Sequence, residues 1–190
     1  AKGESYFTPK PDGNNYAIDL VKQINDLNQG RYLDEDLQNT MATDFCIGVA
    51  GYPEKHFEAP SLNIDIEHLK AKVDAGADYI VTQLFFDNSK FFAFVDKCRE
   101  AGITVPIVPG LKPLVTKRQL SILPQIFHVD IPDTLAIEVL KCKDNAEVRQ
   151  VGIEWCIQQS KELKDAGVPV LHYYSMGKSK NIYEIASAIF

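Results

Sequence analysis

Three times in this chain an amphipathic segment ends at an Ala-Gly pair and passes directly into a short run of β-branched or aromatic residues. The three junctions are Val73-Asp74-Ala75-Gly76-Ala77-Asp78-Tyr79-Ile80-Val81, Arg99-Glu100-Ala101-Gly102-Ile103-Thr104-Val105-Pro106-Ile107-Val108 and Lys164-Asp165-Ala166-Gly167-Val168-Pro169-Val170-Leu171. A glycine just past a helix closes its last turn in the left-handed conformation. The apolar run that follows reads as a parallel strand buried on both faces. Helix, glycine stop and strand, repeated, specify an alternating α/β fold. A fourth strand, Phe45-Cys46-Ile47-Gly48-Val49-Ala50-Gly51-Tyr52, precedes the first junction.

The intervening helices are legible from spacing. Tyr16, Ala17, Leu20, Val21 and Ile24 form one apolar stripe. Asn63 is the expected N-cap of a second helix that buries Ile66, Leu69 and Val73. Asn88 or Ser89 caps a third, through Phe92, Phe94, Val95 and Cys98. A long one starts near Asp144-Asn145 and buries Val148, Val151, Trp155, Cys156 and Leu163, and a last helix covers 182–190. Pro132 suits the first turn of a short extra helix over 133–140. Residues 1–15 and 27–44 are polar and read as loops within a single domain over 1–190. Four strands in 190 residues cannot close a (β/α)8 barrel of about 250 residues. The first element is a helix where such a fold begins with a strand, so the chain reads as part of a larger design.

Composition narrows the function class. Lys+Arg number 20 and Asp+Glu 26, a net charge of −6 with no basic cluster, so nucleic acid is not an expected partner. No apolar window reaches the ~18–20 residues of a membrane span, and the start lacks a secretory signal. Cys46, Cys98, Cys142 and Cys156 are unpaired in sequence and read as buried small hydrophobes of a reducing, cytoplasmic compartment. The cysteines and four scattered histidines lack metal-site spacing, so no metal is expected.

Ligands of parallel α/β folds sit at the C-terminal ends of the strands. The first strand is followed by Tyr52-Pro53-Glu54-Lys55-His56, which reads as a ring-stacking and hydrogen-bonding set or as an exposed turn. Gln83 lies on the strand face of Tyr79, Val81 and Phe85. An amide there is either satisfied internally or faces a polar heterocycle, because burying it unpaired costs ~1–3 kcal/mol. Asp65, His68 and Lys72, at i, i+3 and i+7, lie within an arc of roughly 60° beside an apolar helix face. That stripe is a solvated edge or a place for ribose hydroxyls and phosphate. The third strand runs into Pro109-Gly110-Leu111-Lys112-Pro113 and the fourth ends His172-Tyr173-Tyr174. G-x-G-x-x-G, P-loop and G-x-S-x-G patterns are absent. No lysine lies in the expected strands, so Schiff-base lyase chemistry has no support.

In order, Gly51-Tyr52-Pro53-Glu54-x-His56, Leu69-x-x-Lys72-Val73-Asp74-Ala75-Gly76-Ala77-Asp78, Thr82-Gln83-Leu84-Phe85-Phe86-Asp87, Pro106-Ile107-Val108-Pro109-Gly110 and Leu171-His172-Tyr173-Tyr174 make the chain resemble methylenetetrahydrofolate reductase, over about residues 14–26 and 45–180. The resemblance implies a partial TIM barrel, strands five to eight. It implies FAD across the barrel top, reduced by NADH or NADPH and reoxidised by 5,10-methylenetetrahydrofolate on one flavin face. The product is 5-methyltetrahydrofolate for methionine synthesis. By position, Tyr16, Ala17, Tyr52, His56, Ala59, Asp65, His68 and Lys72 correspond to flavin contacts. Gln83 and Gln119 correspond to glutamines on the substrate side. The family commonly self-associates, so a homo-oligomer is expected.

Departures from the family pattern set further expectations. Met176-Gly177-Lys178 replaces the usual Leu-Asn-Arg, so Lys178 keeps the charge of a substrate-side arginine without its planar fork. Residues 27–44 exceed the family loop. The family's general-acid glutamate belongs to the half preceding Ala1, and such an acid typically contributes ~10²–10⁴-fold. The parent polypeptide is therefore expected to be an active reductase, and these residues alone are not. The alternative is a flavin- or folate-binding module without turnover. Half a barrel also exposes two sheet edges and apolar surface.

Overall fold

The computed structural model describes residues 8–11, 13–177 and 179–190. Helices and short strands alternate along them: α1 (Ala17–Asn28), β1 (Gly48–Gly51), α2 (Leu62–Asp74), β2 (Tyr79–Thr82), α3 (Asn88–Glu100), β3 (Ile107–Val108), β4 (Gly110–Leu111), α4 (Gln119–Phe127), α5 (Asp133–Lys141), α6 (Asn145–Asp165), β5 (His172–Tyr173) and α7 (Ser179–Ser187). Every strand pairing is parallel, as the alternation of helices and strands requires.

The three Ala-Gly junctions behave alike. Gly76, Gly102 and Gly167 have φ of 117°, 78° and 84°. After each, the next N–H reaches back five residues: Ala77 to the Lys72 carbonyl at 3.2 Å, Ile103 to Cys98 at 2.9 Å and Val168 to Leu163 at 3.0 Å. This satisfies the last helical carbonyls and turns the chain into the next strand.

β1, β2 and β3 form one ladder in that order, and β4 and β5 another. Only Pro109 separates β3 from β4. Lacking an N–H, it cannot continue the ladder towards β2, and its carbonyl accepts from His172 N–H at 3.0 Å instead. One extended segment thus pairs with β2 by its first half and with β5 by its second. The outer edges of β1 and β5 carry no strand among the described residues.

One sheet face is covered by helices and the other is open. Val49, Ile80, Ile107 and Leu111 point into a core with Phe85, Phe91, Phe94, Cys98, Cys156 and Leu163. On the opposite face Ala50 is exposed and Val81 and Val108 are half-buried. A second core joins Leu84, Phe86, Leu114, Leu123, Leu135, Val139 and Val148 beneath α4, α5 and the start of α6. α6 crosses the 114 backbone so closely that a Cβ at Gly152 would stand 2.0 Å from the Leu114 carbonyl oxygen.

Several local expectations change. Ser61, not Asn63, caps α2, accepting from Ile64 N–H at 3.3 Å, and Asp87 caps α3, accepting from Ser89 N–H at 2.9 Å. α6 starts where the sequence places it, and Asp144 is its cap, accepting from Ala146 and Glu147 N–H. Of the α1 stripe only Val21 is buried and Ile24 packs beside it, while Tyr16 and Leu20 are exposed. Cys46 is exposed, unlike the other three cysteines. Phe85 leaves the Gln83 face for the helix-side core, because strand alternation ends once β2 does. α4 was hidden by Pro124 inside it, and α7 starts before and stops short of the expected 182–190. Residues 29–44 hold no helix or strand. The Asn28 side chain closes this loop, accepting from Thr43 Oγ1 and Phe45 N–H at 2.8 Å each.

Candidate functional site

The C-terminal ends of the strands meet on one rim. The register Ala50↔Val81 and Gly51↔Thr82 continues one residue further, because Gln83 N–H donates to the Gly51 carbonyl at 2.8 Å. Tyr52 and Gln83 therefore leave neighbouring strands side by side, on the open face of Ala50 and Val81. On the other ladder Gly110↔His172 and Leu111↔Tyr173 continue likewise, with Tyr174 N–H donating to the Leu111 carbonyl at 2.9 Å. Since Val81 pairs with Val108, alternation sets Gly110, His172 and Tyr174 on the same open face.

Tyr174 locks the two ladders together. Its hydroxyl donates to the Thr82 carbonyl at 2.9 Å. The buried Thr82 hydroxyl accepts from Gly110 N–H at 2.9 Å, doing the work that the displaced strand carbonyl would otherwise do. Glycine is required between them, because a Cβ at Gly110 would lie 2.3 Å from the Thr82 oxygen and 2.7 Å from Tyr174 Cε2.

The loop after β1 is tied down from three sides. Tyr52 and His56 meet edge-on at 4.6 Å between ring centroids. Burial, with smaller effects from the charges of Asp65, Tyr174 and Glu58, pushes the Tyr52 phenol above its ordinary range. Asp65 is buried, and its Oδ2 accepts from the His56 N–H at 2.8 Å. Lys72 Nζ donates to the Ala50 carbonyl at 2.9 Å, and burial lowers its ammonium despite Asp65 nearby. Glu54, read from sequence as part of a hydrogen-bonding set or an exposed turn, accepts instead through Oε2 from Lys90 Nζ at 2.6 Å and Asp130 N–H at 2.9 Å. Its Oε1 is buried without a partner among the described residues, and burial raises the carboxyl above its ordinary range. Charge on a Pro-Glu turn gave no sequence signal of burial.

The expected site residues divide. Tyr52, His56, Asp65, Lys72 and Gln83 gather at the rim. Gln83 Oε1 accepts from its neighbour Leu84 N–H at 3.0 Å, leaving the amide NH2 without a partner among the described residues. Gln119 opens α4 on the same side of the sheet. Its Oε1 accepts from Val115 and Thr116 N–H at 2.6 and 3.0 Å, so it closes a turn with one end, and its NH2 has no partner among the described residues. Tyr16 is 73% exposed at the start of α1, where Ala17 is exposed too. The other end of α1 holds Phe45 ahead of β1, so this start faces the rim. His68 is exposed on α2. Ala59 is buried and contributes its carbonyl to Lys55 Nζ at 2.6 Å. Lys178 falls outside the described residues. Among the described residues no group of His, Cys, Asp and Glu is arranged to hold a metal ion, and no helix is long and apolar enough to cross a membrane.

Chemically, the rim offers two tyrosine rings, an imidazole and a carboxamide NH2 on one open face. Such a set can stack against a flat, polar ring and hydrogen-bond its edge.

Comparison with known proteins shows which family the chain resembles. The family model for methylenetetrahydrofolate reductase matches residues 1–189. A probable methylenetetrahydrofolate reductase (NADPH) of Caenorhabditis elegans is 38% identical over 172 residues, 88% of this chain and 26% of that protein. The 5,10-methylenetetrahydrofolate reductase of Escherichia coli is 38% identical over 175 residues, 92% of this chain and 54% of that protein. The chain thus spans about a quarter to a half of these relatives. A solved structure of an uncharacterized Clostridium thermocellum protein, described as binding two copies of 5-methyl-5,6,7,8-tetrahydrofolic acid, superposes with a TM-score of 0.55 at 20% identity, over 77% of this chain and 53% of that one, and shares the fold. With its rim motifs and the family match running along nearly its whole length, the chain belongs to the methylenetetrahydrofolate reductase family.

Proposed function

We propose that the protein containing this chain reduces 5,10-methylenetetrahydrofolate to 5-methyltetrahydrofolate, with FAD as its cofactor and NADH or NADPH as the donor. The observation that carries this reading is the common face and end of Tyr52, Gln83 and Tyr174. The open face, two unpaired edges and the parallel order β1-β2-β3 and β4-β5 support a partial TIM barrel whose inner face is completed by further strands. A cytoplasmic location, self-association and a place in methionine synthesis belong to the same proposal.

The residues present fit a flavin. Tyr52 and His56 offer ring edges, Lys72 and the start of α1 offer positive potential towards phosphate, and exposed Ala50 leaves the sheet face unobstructed. FAD would supply the hydride relay between nicotinamide and folate. In that reading Tyr52 and His56 hold the flavin, and Asp65 keeps the His56 backbone in place. Gln83 presents its free NH2 to the ring of folate or nicotinamide, and Gln119 presents a second. Tyr174 fixes the distance between the two ladders and hence the width of the shelf. None of these side chains is an acid placed to protonate a folate nitrogen, so the proton comes from outside this residue set, and these residues alone bind without turnover.

The experiment is an anaerobic absorbance titration of the full-length protein. A yellow protein, bleached by NADH or NADPH and recoloured by methylenetetrahydrofolate, is the expected result. Flavin that binds but is never reoxidised by the folate indicates a binding module. Colourless protein that takes up no FAD overturns the reading.

A further inference from the structure

The rim carries a cation that the reading above leaves idle. Lys112 follows β4, and the ladder reaches it, because Tyr174 N–H donates to the Leu111 carbonyl and brings Tyr174 alongside. Pro113 restricts Lys112 to extended backbone, and burial alternates accordingly, with Leu111 and Pro113 buried and Lys112 half-buried between them. Lys112 therefore stands on the open face with Gly110, Tyr174 and Gln83.

Other lysines near this end of the fold have partners. Lys55 donates to the Ala59 carbonyl, Lys72 to Ala50, Lys90 to Glu54 and Lys117 to Leu140. Lys112 has neither a hydrogen bond nor an ion pair among the described residues. Burial lowers its ammonium, with no carboxylate acting to raise it. A half-desolvated ammonium without a counter-charge is unfavourable in the free protein and favourable once an anion arrives.

We propose that Lys112 is an oxyanion subsite of the rim, taking a carboxylate or phosphate carried by the ligand whose rings lie over Gln83 and Tyr174. The identity of that ligand rests on the proposed function; the subsite itself does not. The two sources of the anion are the glutamate carboxylates of folate and the phosphates of the nicotinamide donor.

Two measurements on the full-length protein test this. In the first, lysines are sparingly acetylated near neutral pH and located by mass spectrometry, with 5-methyltetrahydrofolate, NADPH, NADH or inorganic phosphate present, against sodium chloride of equal ionic strength. Lys112 is protected by at least one of these anions, whereas exposed Lys180 on α7 is not. In the second, K112M, which keeps an apolar stem, weakens the protecting ligand about tenfold or more, as loss of a charged hydrogen bond does. K112R restores most of that loss. Loss for folate alone assigns the anion to its carboxylates. Loss for NADPH but not NADH assigns it to the 2′-phosphate, and equal loss for both nucleotides assigns it to the pyrophosphate. Unchanged Lys112 acetylation with all four anions, or K112M affinities within about twofold of the parent, overturns the subsite. If neither folate nor nicotinamide binds the parent, the proposed function fails, and inorganic phosphate protection alone then decides the subsite.

Discussion

The Tyr174 hydroxyl donates to the Thr82 carbonyl at 2.9 Å, reaching over Gly110 on the strand between them. One hydrogen bond thereby joins the ends of two ladders that share no backbone pairing across Pro109. Tyr174→Phe keeps the ring and removes the bond. Its expected cost is about 0.5–1.5 kcal/mol, read as a lowered urea midpoint at unchanged slope. An unchanged midpoint would show that the bond contributes nothing to joining the ladders.

Gly110→Ala and Gly152→Ala test the two close approaches. The added methyl would meet the Thr82 oxygen at 2.3 Å in the first and the Leu114 oxygen at 2.0 Å in the second. Both contacts are to backbone, which cannot swing aside, so each variant loses ~1–3 kcal/mol or more. Only Gly110→Ala also displaces Tyr174, so it alone shifts near-ultraviolet tyrosine signals disproportionately to its stability loss.

Gln83→Leu separates site from scaffold. Among the described residues the Gln83 amide oxygen reaches only its neighbour's N–H and its NH2 has no partner, so the fold tolerates the change within about 1 kcal/mol. Folate affinity is expected to fall about tenfold, while FAD affinity holds. Equal losses of both would mean that Gln83 supports the rim without facing the substrate.

Alkaline pH gives a signed test of the helix-side core. Burial pushes the Cys98 and Cys156 thiols up to about 12, from an ordinary 9.0. Between those values the unfolded chain releases protons that the folded chain keeps, so stability falls as pH rises, by ~1.4 kcal/mol per pH unit for each thiol. This contribution is whole below pH 9.0 and lost towards 12. Half-buried Tyr52, Tyr173 and Tyr174 add to the fall above 10.0, while Lys72 and Lys112, lowered by burial, act against it below 10.5. Cys156→Ala should lessen the measured slope by one thiol's share. An identical slope would contradict burial of an un-ionised thiol there.

The alternation of helices and strands, the three glycine stops and the start of α6 near Asp144 were legible because each rests on local backbone chemistry. The gathering of Tyr52, His56 and Gln83 was legible because strand ends in parallel folds converge. Other features depended on contacts across the sequence. The split at Pro109 needs β5, more than sixty residues later, to accept the second half of the strand. Glu54 looks like a surface turn residue until Lys90 and Asp130 close over it. The Asp65 stripe reads in sequence as a solvated edge or a place for ribose hydroxyls, and only the folded loop reveals that one Asp65 oxygen holds His56. α4 escaped notice because Pro124 is a helix breaker by propensity.

The central claim is that the rim after β1, β2 and β5 is a shelf for flavin, and FAD affinity of the full-length protein tests it most directly. Tyr52→Leu removes an aromatic partner at the rim, and Tyr183→Leu removes an equally large ring from the solvent side of α7, where it is 73% exposed. The account predicts FAD binding weakened about three- to tenfold by the first and unaltered by the second. Equal FAD affinity in both variants and the parent, or no FAD binding by the parent, would contradict it.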